Sequence, residues 1–266
     1  MNDSIAQLGL IDDEDIILDD AALALAQLDH PELVIDPYDD VLNAIADRIV
    51  ERGMGASSDR VRAGVLAQVI GIEFGFSGDR ESYDDPDNAD LIRVIDRRRG
   101  LPVSLSILYV AAARRIGWSA HVLDVPGHVL VLIGDNASPV IIDPFRSGIT
   151  VSAEELSALL AAAHRGGGQV TRQVATMPNR AVLIRMLRNQ AARAEDGGDP
   201  ARAQILYERI TAFAPLYGDA WWERARLELA GGDVPAARAS LSSMLETTRD
   251  PDIRDRVTRM LMGLAP

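Results

Sequence analysis

The triplet Gly197-Gly198-Asp199 returns as Gly231-Gly232-Asp233, 34 residues later, and each copy is followed by an Ala/Arg run, Ala201-Arg202-Ala203 and Ala236-Ala237-Arg238-Ala239. A recurrence at this period marks a supersecondary unit that cannot bury its apolar face alone. Fewer than three such units rarely stand by themselves. These helices are therefore expected to continue the helical run Arg180 to Ala194 or to pack on a preceding domain.

Upstream the pattern is mixed. Asp19 and Asp20 precede the run Ala21 to Ala26, and Pro37 leads into Val41, Leu42, Ile45 and Ile49 at helical spacing. Ser57-Ser58-Asp59 can cap a third helix through Val61, Val65, Leu66 and Val69 towards Gly71. Gly75-Phe76-Ser77-Gly78 and Tyr83-Asp84-Asp85-Pro86-Asp87-Asn88 read as loop. A short helix, Leu91 to Arg99, closes at Gly100. Pro102 then opens an apolar helix ending at Arg114-Arg115-Ile116-Gly117, with Gly117 in the left-handed position after it.

Beyond Gly117 the period changes to that of strands: Ala120 to Val125, Val129 to Ile133 and Val140 to Ile142, with Gly134-Asp135-Asn136 as a turn. Short connections and β-branched content predict an antiparallel meander packed against the helix from Pro102, an α+β core. Ser152-Ala153-Glu154-Glu155 is a capping-box pattern opening a further helix, Gly166-Gly167-Gly168 is a break, and Gln169 to Val174 is one more candidate strand. Three segments are expected: an acidic, partly helical one over 1–34, an α+β domain over 35–168, and helical repeats over 169–266.

Composition removes whole classes of chemistry. The 266 residues include no cysteine, which excludes disulfides, thiolate zinc sites and a cysteine nucleophile. All 27 basic residues are arginine, so no P-loop, Schiff-base or general-base lysine exists. The net charge is −13, and twelve of the first forty residues are Asp or Glu, a balance that repels nucleic acid. Asp12-Asp13-Glu14-Asp15 lacks the spacing and turn glycine of a calcium loop. No segment is apolar enough to span a membrane and the start lacks the pattern of a secretion signal, so a cytoplasmic location is expected. His30, His121 and His164 show no metal-ligand spacing, and neither metal nor cofactor is expected. Arg97-Arg98-Arg99 compensates a helix dipole or, as the lesser alternative, holds an anion.

One pair of residues can carry chemistry. Pro126-Gly127-His128 lies between two strands and Asp143-Pro144-Phe145 ends a third, so adjacent strands can set a histidine beside an aspartate. An aspartate bonded to one imidazole nitrogen fixes the tautomer and leaves the other free to take a proton from a nucleophile. Pro-Gly-His is equally the signature of a tight turn.

Arg99-Gly100-Leu101-Pro102-Val103-Ser104-Leu105-Ser106, Arg114-Arg115-Ile116-Gly117, Pro126-Gly127-His128 and Ile142-Asp143-Pro144-Phe145 occur in that order, with Gly75-Phe76-Ser77-Gly78, Tyr83 and Asp87-Asn88 upstream. Together they resemble the transglutaminase-like superfamily, and with the downstream repeat they resemble bacterial members carrying tetratricopeptide tails, over roughly 35–260. The resemblance implies a helix-rich, papain-like α+β domain with a small antiparallel sheet. It also implies a triad in which a cysteine at the start of the central helix pairs with a histidine and an aspartate, here His128 and Asp143. The nucleophile's place falls on Pro102. Ser104 is the nearest hydroxyl, close to a helix N-terminus, but it stands two residues, about 200° of helix rotation, from that place. Asn88 could supply an amide to the cleft.

In the tetratricopeptide pattern Ala203 and Ala237 take the small-residue position, Trp221 and Tyr207 the aromatic ones, and Pro215 the terminating proline. Leu241 and Arg249 depart from it. Trp221-Trp222 then marks either core packing or a groove for a protein or peptide partner. Two functions are compatible with this reading: a non-catalytic, degenerate domain coupled to an interaction module, with a regulatory role as one option, and a hydrolase or acyltransferase using His128 and Asp143 with an atypical nucleophile such as Ser104.

Overall fold

The structure, a computed structural model, describes residues 2–125, 127–135, 138–165 and 174–264. In chain order the elements are α1 (Asn2–Leu10), α2 (Leu18–Gln27), α3 (Asp36–Arg52), α4 (Asp59–Leu66), β1 (Ser77–Gly78), α5 (Leu91–Arg97), β2 (Arg99–Gly100), α6 (Pro102–Arg115), β3 (Ala120–Val125), β4 (His128–Ile133), β5 (Val140–Asp143), β6 (Ile149–Thr150), α7 (Ala153–Arg165), β7 (Ala175–Thr176), α8 (Asn179–Asp196), α9 (Pro200–Phe213), α10 (Gly218–Ala230), α11 (Val234–Thr247) and α12 (Pro251–Gly263). Two compact units result: Asp13–Leu183, and Met1–Asp12 with Ile184–Pro266. The division at 183/184 falls inside α8.

In the first unit α6 is the pivot. Every residue from Pro102 to Ala113 is buried, as expected for a helix apolar on all sides, and α2, α3, β3 and β4 pack against it. Pro102 occupies its first turn, where the missing N–H costs nothing. Gly117 follows its end at φ +77°, the left-handed conformation expected there.

The main sheet runs β6-β5-β4-β3-β7, each pair antiparallel. Its centre is the expected meander. β6 and β7 are two residues each, too short for an alternating pattern to reveal. Of the expected strand Gln169 to Val174 only Val174 lies within the described residues; Pro126, Asn136 and Gly166-Gly167-Gly168 lie outside them. Directly paired residues share a face of an antiparallel sheet. Leu123, Val125 and Leu130 therefore lie together with Leu132 and Ile141, and α7 covers this face through Leu156, Leu159 and Leu160. α7 opens with a reciprocal capping box: Glu155 N donates to Ser152 Oγ at 3.1 Å, and Ser152 N to Glu155 Oε2 at 2.9 Å.

A second, two-stranded sheet was hidden from the sequence. β1 pairs in parallel with β2, Ser77 opposite Arg99 and Gly78 opposite Gly100. α5 consequently ends at Arg97 rather than Arg99, because Arg98 turns left-handed (φ 57°) and hands the chain to β2. Before β1, residues Ala67–Glu73 form a π-helix in which Phe74 N reaches Val69 O at 2.9 Å.

Two acids of the acidic start, Asp13 and Asp19, are bonded within the first unit. Asp13 accepts the orphan N–H groups of Asn179 (2.9 Å) and Arg180 (2.8 Å) at the start of α8, and Asp19, almost fully buried, accepts Arg115 Nε at 2.7 Å.

In the second unit the 34-residue recurrence is a recurrence of bonds. Asp199 N donates to Ala194 O and Asp233 N to Glu228 O, both at 2.8 Å. Gly198 and Gly232 sit at φ +79° and +81°. The Asp199 side chain accepts Arg202 N at 2.9 Å, and Asp233 accepts Ala236 N at 3.0 Å. The same turn and the same N-cap launch α9 and α11, with Ala203 and Ala237 fully buried one turn later. Among the described residues no helix is long and apolar enough to cross a membrane.

Candidate functional site

β4 opens on His128 and β5 closes on Asp143. The pairing of Val131 with Ile142, extended by one residue, sets Asp143 beside Leu130, two positions from His128 on the same face. His128 Nε2 meets Asp143 Oδ2 at 3.0 Å. The carboxylate is otherwise fully used: Oδ2 also accepts Arg146 Nε at 2.7 Å, and Oδ1 accepts Phe145 N at 2.9 Å and Arg146 N at 3.3 Å. Burial pushes this carboxyl up, but the hydrogen bonds from His128 and Arg146 outweigh it and hold it below the usual carboxylate range. Arg146 in turn reaches Glu155 at 3.3 Å. His128 Nδ1 has no hydrogen bond among the described residues.

The remaining candidates group elsewhere. Ser104 is fully buried and its hydroxyl donates to Asn88 O at 2.9 Å, its one side-chain hydrogen bond among the described residues. The same Asn88 carbonyl accepts Leu101 N at 2.9 Å, so it fixes the chain immediately ahead of Pro102. Asn88 is itself buried; its Nδ2 donates to Ser82 O and Tyr83 O at 2.6 and 3.3 Å, and its Oδ1 has no partner among the described residues. Ser106 bonds back to Pro102 O at 2.7 Å. The structure thus brings His128 and Asp143 together in one cluster, and Ser104, Asn88 and the Pro102 turn in another.

Phe145 ties this region to the second sheet. Its ring stands edge-on to His128 (6.4 Å between centroids) and to Tyr83 (5.8 Å), and it lies flat on Gly78, where a Cβ would fall 2.3 Å from the ring. Only glycine allows that approach. Sequence reasoning missed Arg146, although Asp143-Pro144-Phe145-Arg146 has the i, i+3 spacing of a short capped turn. It also missed a second histidine-aspartate pair. His30 Nε2 meets Asp90 Oδ2 at 2.8 Å across sixty residues of chain, a separation that leaves no local signal. Asp90 also caps α5, and burial holds its carboxyl above the usual value despite the bonds from Arg93 N and His30.

The model of the transglutaminase-like superfamily matches residues 25–188. The chain belongs to that superfamily. It is 28% identical to the UPF0162 protein of Xylella fastidiosa over 97% of its own length and 93% of the relative's. The UPF0162 protein of Vibrio cholerae is 37% identical over 35% of this chain and 34% of its own. F-box only protein 21 of Mus musculus is 27% identical over 54% of this chain, a stretch amounting to 23% of that longer protein.

His128 and Asp143 both lie within the residues matched by the superfamily model. Trp221 and Trp222, in the second unit, are both half-buried against Ala225, Ala237, Leu241, Met244 and Val257. Trp221 Nε1 donates to Pro215 O at 2.9 Å, and the Arg256 guanidinium lies 3.9 Å from the Trp222 ring centroid. Among the described residues no group of three or more metal-binding side chains converges.

Proposed function

We propose that this protein binds rather than turns over: a transglutaminase-like domain that keeps His128 and Asp143 as a structural clamp, joined to tetratricopeptide-type helices that take a protein or peptide partner. The observation that carries the proposal is how the hydroxyl and the carboxylate are used. A serine nucleophile needs its base within about 3.2 Å, whereas the Ser104 hydroxyl is sealed from solvent and given to the Asn88 carbonyl. A triad aspartate serves its histidine. Asp143 instead divides its acceptor capacity among His128, the Arg146 guanidinium and two backbone amides, a use that locks the corner between β5 and β6. The recurrent turns supply the repeat half of the proposal, and the half-buried Trp221 and Trp222 supply anchors of the type that dominate protein interfaces.

The competing view, a hydrolase or acyltransferase, draws on the open Nδ1 of His128. The two separate in one experiment. The purified chain, its His128→Ala variant and its Trp222→Ala variant are assayed against an activated acyl ester and used as bait on a lysate of the source cell. The binding function predicts ester turnover equal in parent and His128→Ala, together with a partner retained by both and lost in Trp222→Ala. Turnover that disappears in His128→Ala would establish the enzyme instead.

A further inference from the structure

A cleft of about 630 Å³ opens beside Phe145 and Arg146, between the two-stranded sheet and the turn after β5. That is the size of a small-molecule site. Four arginines line it, Arg80, Arg97, Arg99 and Arg146, on a chain whose net charge is −13. Two are neutralised: Arg97 by Asp79 (3.1 Å), Asp85 (3.2 Å) and Asp87 (3.6 Å), and Arg146 by Asp143 and Glu155. The other two are not. Arg99 donates only to neutral acceptors, Ser77 Oγ at 2.7 Å and the carbonyls of Gly75 and Arg98, and Arg80 is exposed with no polar partner among the described residues. The one anion of the lining without a partner there is Glu81; Asp79 is held by Arg97 and by the amides of Glu81 and Ser82. Two guanidiniums and one carboxylate of the lining therefore have no ion-pair partner among the described residues.

The backbone points to the same place. Among the described residues the non-glycine residues at positive φ are Arg98 and Ser147, both at 57°. Ser147 lines the cleft, and Arg98 lies between the lining residues Arg97 and Arg99. Such conformations are sparsely populated and collect at ligand clamps. Here the left-handed turn at Arg98 carries Arg99 to the rim. The chain at Ser147 passes so close to Gly71 that a Cβ there would fall 2.5 Å from Ser147 O. Phe145 and the half-exposed Ile149 give the lining its apolar part.

We propose that this cleft binds an organic oxyanion, a carboxylate or phosphate attached to an apolar body, with Arg80 and Arg99 on the anion and Phe145 and Ile149 on the body. The guanidinium fork matches the two oxygens of either anion. The site does not depend on whether His128 and Asp143 perform chemistry, and the experiment uses no activity. The full chain is titrated calorimetrically with inorganic phosphate, acetate and hydrocinnamate, with sodium chloride at matched ionic strength as reference. Saturable binding is expected, hydrocinnamate tighter than acetate. Phosphate tighter than both carboxylates assigns the head group to a phosphate, and the reverse order to a carboxylate. Arg80→Gln and Arg99→Gln are each expected to raise Kd about tenfold, the loss of one charge-assisted hydrogen bond, and Arg60→Gln, outside the cleft, to leave it unchanged. Arg80→Gln removes no polar contact among the described residues, so its effect reads binding. No saturable binding of any probe, or equal weakening by Arg60→Gln and Arg80→Gln, would overturn the proposal.

Discussion

Replacing Asp143 by asparagine keeps the shape of the side chain and removes the charge that His128 and Arg146 share. Oδ1 can still cap the turn, accepting Phe145 N and Arg146 N. The second position changes from acceptor to donor, and there it meets Arg146 Nε, itself a donor at 2.7 Å. Two charge-assisted hydrogen bonds are lost or inverted, nominally about 1.5–3 kcal/mol each. The Arg146 side chain is 32% exposed and recovers part of its share from water. The expected loss for Asp143→Asn at pH 7 is therefore about 2–4 kcal/mol. Urea unfolding followed through Trp118, which belongs to the first unit, reads this loss when parent and variant both carry Trp221→Phe and Trp222→Phe, which silence the second unit's fluorescence.

The pH dependence has a definite sign. Because the folded carboxyl lies below its ordinary value, its contribution is fully present above the unfolded value of about 3.9 and is lost as pH falls through the folded value. The difference between parent and Asp143→Asn should stay flat from neutral pH down to about 5 and shrink only below about 4. A difference under about 0.5 kcal/mol at pH 7, the scatter of ordinary surface substitutions, would refute the clamp.

Three further outcomes follow. Gly78→Ala forces a methyl to within 2.3 Å of the Phe145 ring and should cost about 1–3 kcal/mol in the same urea assay, with Phe145→Leu in the double variant restoring part of it. Ser104→Ala removes a buried donor from a carbonyl that still accepts Leu101 N, so a loss of about 1 kcal/mol is expected in the first unit's transition. Asp199→Ala and Asp233→Ala remove equivalent N-caps and should each lower the stability of the second unit by about 1 kcal/mol, equally within error, read by circular dichroism in urea.

The longer elements could be read from the sequence because they carry local signals: α6 with its proline start and glycine stop, β3 to β5 with their β-branched runs and short connections, and the paired Gly-Gly-Asp turns. Boundaries moved where one residue's backbone decided them, as when left-handed Arg98 ended α5 early and started β2. β1, β2, β6 and β7, of two residues each, exist only through their partners. His128 and Asp143 were legible as a pair because consecutive strands of a meander lie side by side. His30 with Asp90, and the seating of Phe145 on Gly78, join segments far apart in the chain, and neither histidine nor glycine announces a distant partner. The partners of Asp13 and Asp19 in the acidic start, the Asn179 and Arg180 amides and the Arg115 guanidinium, lie so far along the chain that no local pattern reveals them.

The claim that the domain keeps a triad's histidine and aspartate without a nucleophile is tested most directly by active-site labelling of the intact chain. The protein is incubated with a fluorophosphonate from pH 6 to 9 and mapped by mass spectrometry. The account predicts no adduct at Ser104 at any pH, since that hydroxyl is buried and bonded to the Asn88 carbonyl. A stoichiometric adduct on Ser104 in the parent, absent from His128→Ala, would contradict it.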